Sequence, residues 1–512
     1  MGVAHDYADA ILHRARIPME PVGFEPDWAD QPREHSYHPG AERLPLPPWR
    51  TPPQATTQRA LTGPAGTGAF TLPALGGMLL DSYGLTSRRL AVHANVNLET
   101  MPDYTAAGWA RGCGSGGGLY PLEIYWAAGA SGPLTPGVYH YAVPHHAMQR
   151  LLTGDVTAQV RAALGPAAKG VADTDQFLII SVRFWKNTFK YNSFGYHVVS
   201  MDIGALLHTW RLWARAHGLR LDGEFWFDEP RLTRLLGLRE HQEGVFAVVP
   251  LRWDGAPTAP SPDTGQRVRR APEERSRAVL TFDTIRRLHA ATLTTGALPA
   301  EPPAPALPVP PDGDRVTLPA PTPLPTDLRT ALRTRRSSFG RFSGKTPMAA
   351  DRLSALLASA ASAGERLTRL YVFVNHVADV APGSYLYDGA TGELRLVKAG
   401  PRGAFLQRNY TLDNYNLEQA AAVIVPTVRV PALLDAVGDR GYRLANAAIG
   451  ASSQAFYTAA AACGLGCGVA LAFDGVSYSE ELGLTGTGEL PLLITAVGPE
   501  RPDPADYRYE VA

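Results

Sequence analysis

The chain has 512 residues, 45% of them hydrophobic, and its 48 Lys+Arg balance its 48 Asp+Glu. That length gives room for two or three domains with proper cores, and a formal net charge of zero supplies no overall field to attract nucleic acid or an anionic membrane. Three cysteines cannot build a disulfide framework, and Cys463 and Cys467 lack the four-ligand company of a zinc site.

The opening MGVAHDYADAILHRARIP has no apolar run long enough for a signal peptide or a membrane span. Asp6 stands where a myristoylation signal carries Ser or Thr, so the chain is expected to be cytoplasmic. Residues 1–64 are rich in Pro, Arg and His, show no clear period and read as an irregular arm packed on a neighbour. Residues 65–255 alternate helix and strand signals. Within them, Arg111-Gly-Cys-Gly-Ser-Gly-Gly-Gly-Leu-Tyr-Pro121 concentrates glycines that let a backbone approach a flat or phosphorylated ligand. The same run also suits a flexible loop, and its spacing is neither that of a P-loop nor that of a Rossmann turn. Cys113 beside it reads as a small buried residue. Residues 177–182 and 245–250 are apolar runs of strand length. Between them FWKNTFKYNSFGYH sets Lys190 next to Tyr191, a pair that reads either as surface or as proton handlers in a cleft. Residues 200–218 are a predicted helix, apolar nearly all round and stopped by Gly218.

A link follows at 256–325. Its charged part, PEERSRAVLTFDTIRRLHAATL, reads as a helix, and its second half, LPAEPPAPALPVPPDGDRVTLPAPTPLP, is proline-rich and therefore extended. From 326 to 505 the chain repeats itself. PGVYHY (136–141) returns as PGSYLY (382–387). Gly218-Leu219, Phe227-Asp228 and Leu236-Gly237-Leu238 return as Gly464-Leu465, Phe473-Asp474 and Leu482-Gly483-Leu484. Tyr125 falls on Tyr371, and every one of these pairs is 246 residues apart without insertion. Residues 421–425 and 492–497 supply strand-like runs of the second copy. The repeat predicts an α+β fold of two tandem domains, with helices at 200–218 and 441–464 buried against each other in a fused pseudodimer.

The copies differ where chemistry is expected. LASAASAGERL replaces the glycine run, and Ala436-Val437 replaces Lys190-Tyr191. In exchange the second copy opens with RTRRSSFGRF, and nothing like it precedes the matching LPALGGMLLDSYG of the first. Arg335, Arg336, Ser337 and Ser338 there offer a phosphate forked donors and hydroxyls ahead of the helical pattern DRLSALLASA. Such a run also serves as a solvated basic face. Two incomplete half-sites predict one composite site across the interface.

From about 75 to 500 the chain resembles the FMN-dependent nitroreductase superfamily, and within it the SagB-type dehydrogenases, azoline oxidases of ribosomal peptide natural products. The resemblance is carried by Ser115-Gly-Gly-Gly-Leu-Tyr-Pro121, by Pro136-Gly137-x-Tyr139-x-Tyr141, by Lys190-Tyr191, by the Arg-Arg-Ser-Ser at 335–338, and by residues 463–466 and 494–498. It implies one intact FMN site between the halves and an empty second pseudo-site. Arg335, Arg336 and Ser337, helped by Arg501, would take the phosphate. Ser115, Gly116 and Gly118 would approach the isoalloxazine, and residues 469–473 would pass its reactive nitrogen. Lys190 or Tyr191 would be the base or its orienting partner. The chain departs from the family pattern at Gly114, usually Pro, and at Phe194 and His197, where arginines are usual. The implied activity is oxidation of thiazoline or oxazoline rings in a modified precursor peptide, with dioxygen reoxidising the flavin and a cyclodehydratase as partner. Another FMN oxidoreductase (a nitro- or quinone reductase, or a peptide desaturase) and a non-catalytic scaffold subunit are the alternatives, and further homodimerisation is left open.

Overall fold

In the computed structural model, which describes residues 2–90, 107–171, 173–255, 273–293, 314–364, 367–502 and 507–511, the repeated motifs sit at bends and ends of elements. Gly218 and Gly464, with φ of +73° and +64°, follow two helices of 22 residues each; a left-handed residue ends a helix, and only glycine adopts it without penalty. Asp228 and Asp474 are N-caps, accepting from Arg231 N at 3.0 Å and Val476 N at 3.1 Å. The Pro-Gly-x-Tyr-x-Tyr motifs enter strands Gly137–Ala142 and Gly383–Asp388, each with a register shift before its first tyrosine. The hydroxyls of Tyr139 and Tyr385 donate to the carbonyls of Thr135 and Ala381, which fixes each bend the same way.

Each half builds one antiparallel sheet. Across the first, the order is Arg43–Pro45, Ala147–Thr153, Gly137–Ala142, Leu122–Ala128, Gln176–Arg183, Glu243–Pro250. Across the second it is Gly466–Ala470, Ile494–Gly498, Ala422–Val428, Arg369–Val374, Gly383–Asp388, Glu393–Ala399, Arg315–Thr317. Four helices position the site: α1 (Val3–His13), α2 (Phe184–Tyr191), α3 (Gly195–Ala216) and α4 (Gly441–Ala462). The long α3 and α4 are buried almost throughout and cross backbone to backbone. A Cβ at Gly204 would stand 1.9 Å from the Ala447 carbonyl oxygen, and one at Gly450 2.1 Å from that of Met201. The two contacts are images of each other under the same 246-residue shift. The C-terminal strand Tyr507–Glu510 crosses back to pair with Ser87–Leu90 of the first half.

Three segments differ from their sequence reading. The arm is not irregular throughout: it holds α1, the strand Arg43–Pro45 that edges the first sheet, and a short helix Thr57–Thr62. The charged stretch is helical only over Asp283–Thr292, because its earlier residues are tied to the arm: Ser276 Oγ donates to Asp30 O, and the Arg277 and Ala278 N–H groups to the Asp30 carboxylate. Within the link, 256–272 and 294–313 lie outside the described residues, and Arg315–Thr317 already belongs to the second sheet. No helix among the described residues is long and apolar enough to cross a membrane.

Candidate functional site

The glycine run is clasped from both halves. From its own half, Ser115 Oγ and Gly116 N donate to the two carboxyl oxygens of Asp202 on α3, at 2.6 and 2.9 Å, and Tyr120 N donates to Ser115 Oγ at 2.9 Å. From the other half, Gln454 on α4 accepts from Gly114 N at 3.0 Å and donates to Gly112 O at 3.2 Å. Arg335 Nε donates to Gly112 O, and its Nη2 to Arg111 O and Cys113 O, at 3.0, 3.0 and 3.2 Å. Cys113 is buried, and burial pushes its thiol up to about 12. Burial also pushes the Asp202 carboxyl up to about 7, against the pull of its two hydrogen bonds.

Lys190 and Tyr191 close α2 on the open side of this loop. Gly117 has φ +65°, and a Cβ there would lie 2.4 Å from the Tyr191 hydroxyl, so the tyrosine leans directly on the glycines. Lys190 Nζ lies 5.2 Å from the Tyr191 ring centroid. Among the described residues it has no hydrogen-bond or ion-pair partner. The residue is exposed, yet nearby protein lowers its pKa, because desolvation disfavours the ammonium. The same effect pushes the half-buried Tyr191 phenol up to about 12. The two neighbours therefore diverge: the lysine is the easier to deprotonate, and the tyrosine stays a donor.

Beyond them stand Phe194, whose ring packs edge-on against Tyr191 at 5.9 Å, and Arg14 at the end of α1. The Arg14 guanidinium lies 3.9 Å from the Phe194 ring centroid, and its Nη2 donates to the Leu471 carbonyl. Through Arg14 and Phe194, segment 469–473 of the second half is linked to Tyr191.

The Arg-Arg-Ser-Ser run starts beside strand Gly466–Ala470, with Ser338 N donating to Cys467 O at 2.8 Å. Its residues are partly engaged. Arg335 faces the glycine loop as described. Arg336 and Arg341 share Oε2 of Glu500 at 2.8 and 3.4 Å, and Ser337 Oγ meets the Tyr457 hydroxyl at 2.9 Å. Arg501 is exposed and donates to Gly340 O at 2.6 Å. Ser338 Oγ and Glu500 Oε1 are buried without a hydrogen-bond partner among the described residues.

The symmetry-related place is filled. Arg440 and Arg443, which stand where the first half has Phe194 and His197, are 1% and 2% exposed and share Oε2 of the fully buried Glu229, at 3.8 and 2.8 Å. Arg443 also donates to Tyr196, Val245, His289 and Thr292.

Sequence reading missed Asp202, Gln454 and Arg14. Asp202 carried a signal, as the one acidic side chain of a long, largely apolar helix. Gln454 and Arg14 carried none.

Residues 332–499 match the Nitroreductase family. Over 173 residues the chain is 27% identical to a candidate nitroreductase of Methanocaldococcus jannaschii, covering 34% of this chain and 77% of that protein. A candidate nitroreductase from Anabaena variabilis, known from its crystal structure, aligns over 98% of this chain and 100% of its own with a TM-score of 0.75 at 23% identity. The chain has a nitroreductase-like fold over nearly its whole length, as the resemblance implied, and its second half carries the family match.

Proposed function

We propose that this chain is an FMN-dependent dehydrogenase that oxidises thiazoline or oxazoline rings in a ribosomally made, modified peptide to thiazole or oxazole. The reading rests on one observation: a glycine cradle clasped by both halves has the Tyr191 hydroxyl leaning on it, with Lys190 beside that ring making no hydrogen bond or ion pair among the described residues. The division into domains at 65–255 and 326–505, joined by 256–325, belongs to the same proposal.

The residues fit a phosphorylated, polyhydroxylated flavin. Arg336 and Arg341 converge on a single carboxylate oxygen, and the orphaned Ser338 Oγ and Glu500 Oε1 can pair with hydroxyl groups. Bound there, FMN would accept a hydride and pass electrons to dioxygen. Arg336, Ser337 and Arg501 are assigned to the phosphate, and Ser115, Gly116 and Gly118 to the flat ring. Arg335 keeps the loop in place across the interface. Lys190 is assigned as the base that takes the acidic ring proton, because its pKa is lowered and, among the described residues, no carboxylate or hydrogen bond holds its ammonium. Tyr191, held protonated, orients the reacting ring as a hydrogen-bond donor. A cyclodehydratase would supply the azoline and is the expected physical partner.

The family match of residues 332–499 favours, as a second reading, a nitro- or quinone reductase fed by NAD(P)H. An absorption spectrum of the purified chain beside Arg335→Ala and Ser115→Trp comes first. Flavin bands at about one flavin per chain, lost in both variants, are expected. Oxidation of an azoline peptide without NAD(P)H then supports the proposal, whereas rapid NAD(P)H consumption with a quinone favours the second reading. A chain that stays colourless after FMN is added overturns both and leaves a scaffold.

A further inference from the structure

We propose that Arg14 is a third functional group of the cleft and binds the carbonyl oxygen of the residue whose ring is oxidised; this deepens the azoline reading and rests on it.

The arm delivers this guanidinium by a dedicated docking. Ala4 N donates to Asp439 at 2.9 Å, His5 meets Asp435 at 3.0 Å, and Arg16 reaches Asp474 at 3.0 Å, all on the second half. Tyr7 donates to the Ser193 carbonyl at 2.7 Å and accepts from His197 N at 3.2 Å, on the first half. The arm therefore bridges the two walls, and Arg14 comes to rest between Phe194 of one and Leu471 of the other.

What sets Arg14 apart is its missing counter-charge. At the symmetry-related place, Arg440 and Arg443 are neutralised by Glu229. The residue 246 positions after Glu229 is Gly475, and the space a side chain would need is taken by α1: a Cβ there would lie 2.9 Å from the Leu12 carbonyl oxygen. Among the described residues no carboxylate pairs with Arg14, and only its Nη2 has a hydrogen-bond acceptor. A half-buried guanidinium with unspent donors, electrostatically coupled to the Tyr191 phenol, is built to receive an oxygen that carries or develops negative charge.

An azoline presents such an oxygen. The ring carbon that bears the acidic proton also bears the peptide carbonyl. When Lys190 takes that proton, the electron pair of the broken C–H bond spreads onto the carbonyl oxygen, where Arg14 holds it. The neighbouring ring carbon would then give up hydrogen with both electrons of its C–H bond to a bound flavin, and the pair held on the carbonyl oxygen would return as the new ring double bond. The substrate would thus lose a proton and a hydride, which dioxygen would take up as hydrogen peroxide.

The test uses the flavin-loaded full chain and thiazole-4-carboxylate, whose carboxylate stands in for that carbonyl, with binding read from the shift of the flavin absorption bands. Wild type is expected to bind it. Arg14→Gln should bind about 10- to 100-fold more weakly, the usual cost of losing a charge-assisted hydrogen bond. Arg14→Lys should recover part of the loss, and Arg50→Gln, an exposed arginine of the same arm with no part in its docking, should match wild type. All must keep wild-type flavin content and melting temperature to be compared, and Arg14→Lys serves if Arg14→Gln does not fold. Equal affinity in wild type and Arg14→Gln overturns the inference, as does an equal loss in Arg50→Gln. If the probe binds through Arg14 but wild type leaves azoline peptides untouched, the oxygen-binding role stands and the ring-oxidation reading falls.

Discussion

Two titratable groups, one on each side of the glycine loop, set the pH behaviour to expect. Lys190 must be neutral to accept a proton, and its folded pKa lies below that of an ordinary lysine. The rate constant kcat/KM for an azoline peptide should therefore rise with pH and level off once Lys190 has lost its proton, at a midpoint below the free-lysine value. Lys190→Arg should lower kcat by about 10²- to 10⁴-fold, the usual share of a general base, since a guanidinium does not deprotonate. Tyr191→Phe should cost less and leave the midpoint in place. A midpoint that survives in Lys190→Arg would move the base elsewhere. Asp202 works on stability. Its carboxyl titrates at about 7 when folded and near 3.8 when unfolded, so between these values the folded chain holds a proton that the unfolded chain has released. This contribution is full below the unfolded pKa and is lost as pH rises to about 7. Asp202→Asn should flatten that part of the melting-temperature profile, and an unchanged slope would show that other groups dominate it.

At the scale of elements, the contacts that look most local in the sequence prove the most global. Gly204 and Gly450 read simply as small residues in apolar helices, yet each lets α3 and α4 touch backbone to backbone. Gly204→Ala and Gly450→Ala should each destabilise the chain by about 1–3 kcal/mol through overpacking, and by similar amounts, because the two contacts are images of one another. Denaturant unfolding of both variants checks this, and a large inequality would show that the helices repack on one side only. The same elements show what was legible in advance. Caps and turns impose one residue type through local backbone geometry, so Gly218, Asp228 and their repeats marked the fold correctly from spacing alone. The glycine run and the Lys190-Tyr191 pair were legible as candidates only because the first copy has them and the second does not. Arg14 and Gln454 were not, because each acquires its place only from partners 457 and 340 residues away. Arg335 was expected to take a phosphate, and nothing in its neighbours said that it would spend its donors on three carbonyls of the other half.

For the molecule as a whole, the link between the halves is the least important thing holding them together. One hydrophobic core runs from α1 through α3 and α4 into both sheets. The C-terminal strand pairs into the first half, α1 grips the second, and Arg443 joins Glu229 across the interface with both groups buried. Removing Arg443 would strand a buried carboxylate at a cost of about 3–5 kcal/mol, and such contacts cannot open one at a time without similar penalties. Cutting the chain at a protease site placed in the proline-rich stretch 298–312 should therefore leave the two fragments together in size-exclusion chromatography, with flavin still bound. Adding Gly450→Leu, which drives a branched side chain into the Met201 carbonyl, should make the cut protein fall apart and release its flavin, because the interface and the cradle are one structure. Fragments that separate after the cut alone would mean that covalent linkage, not packing, keeps the glycine loop, Arg335 and Gln454 in register.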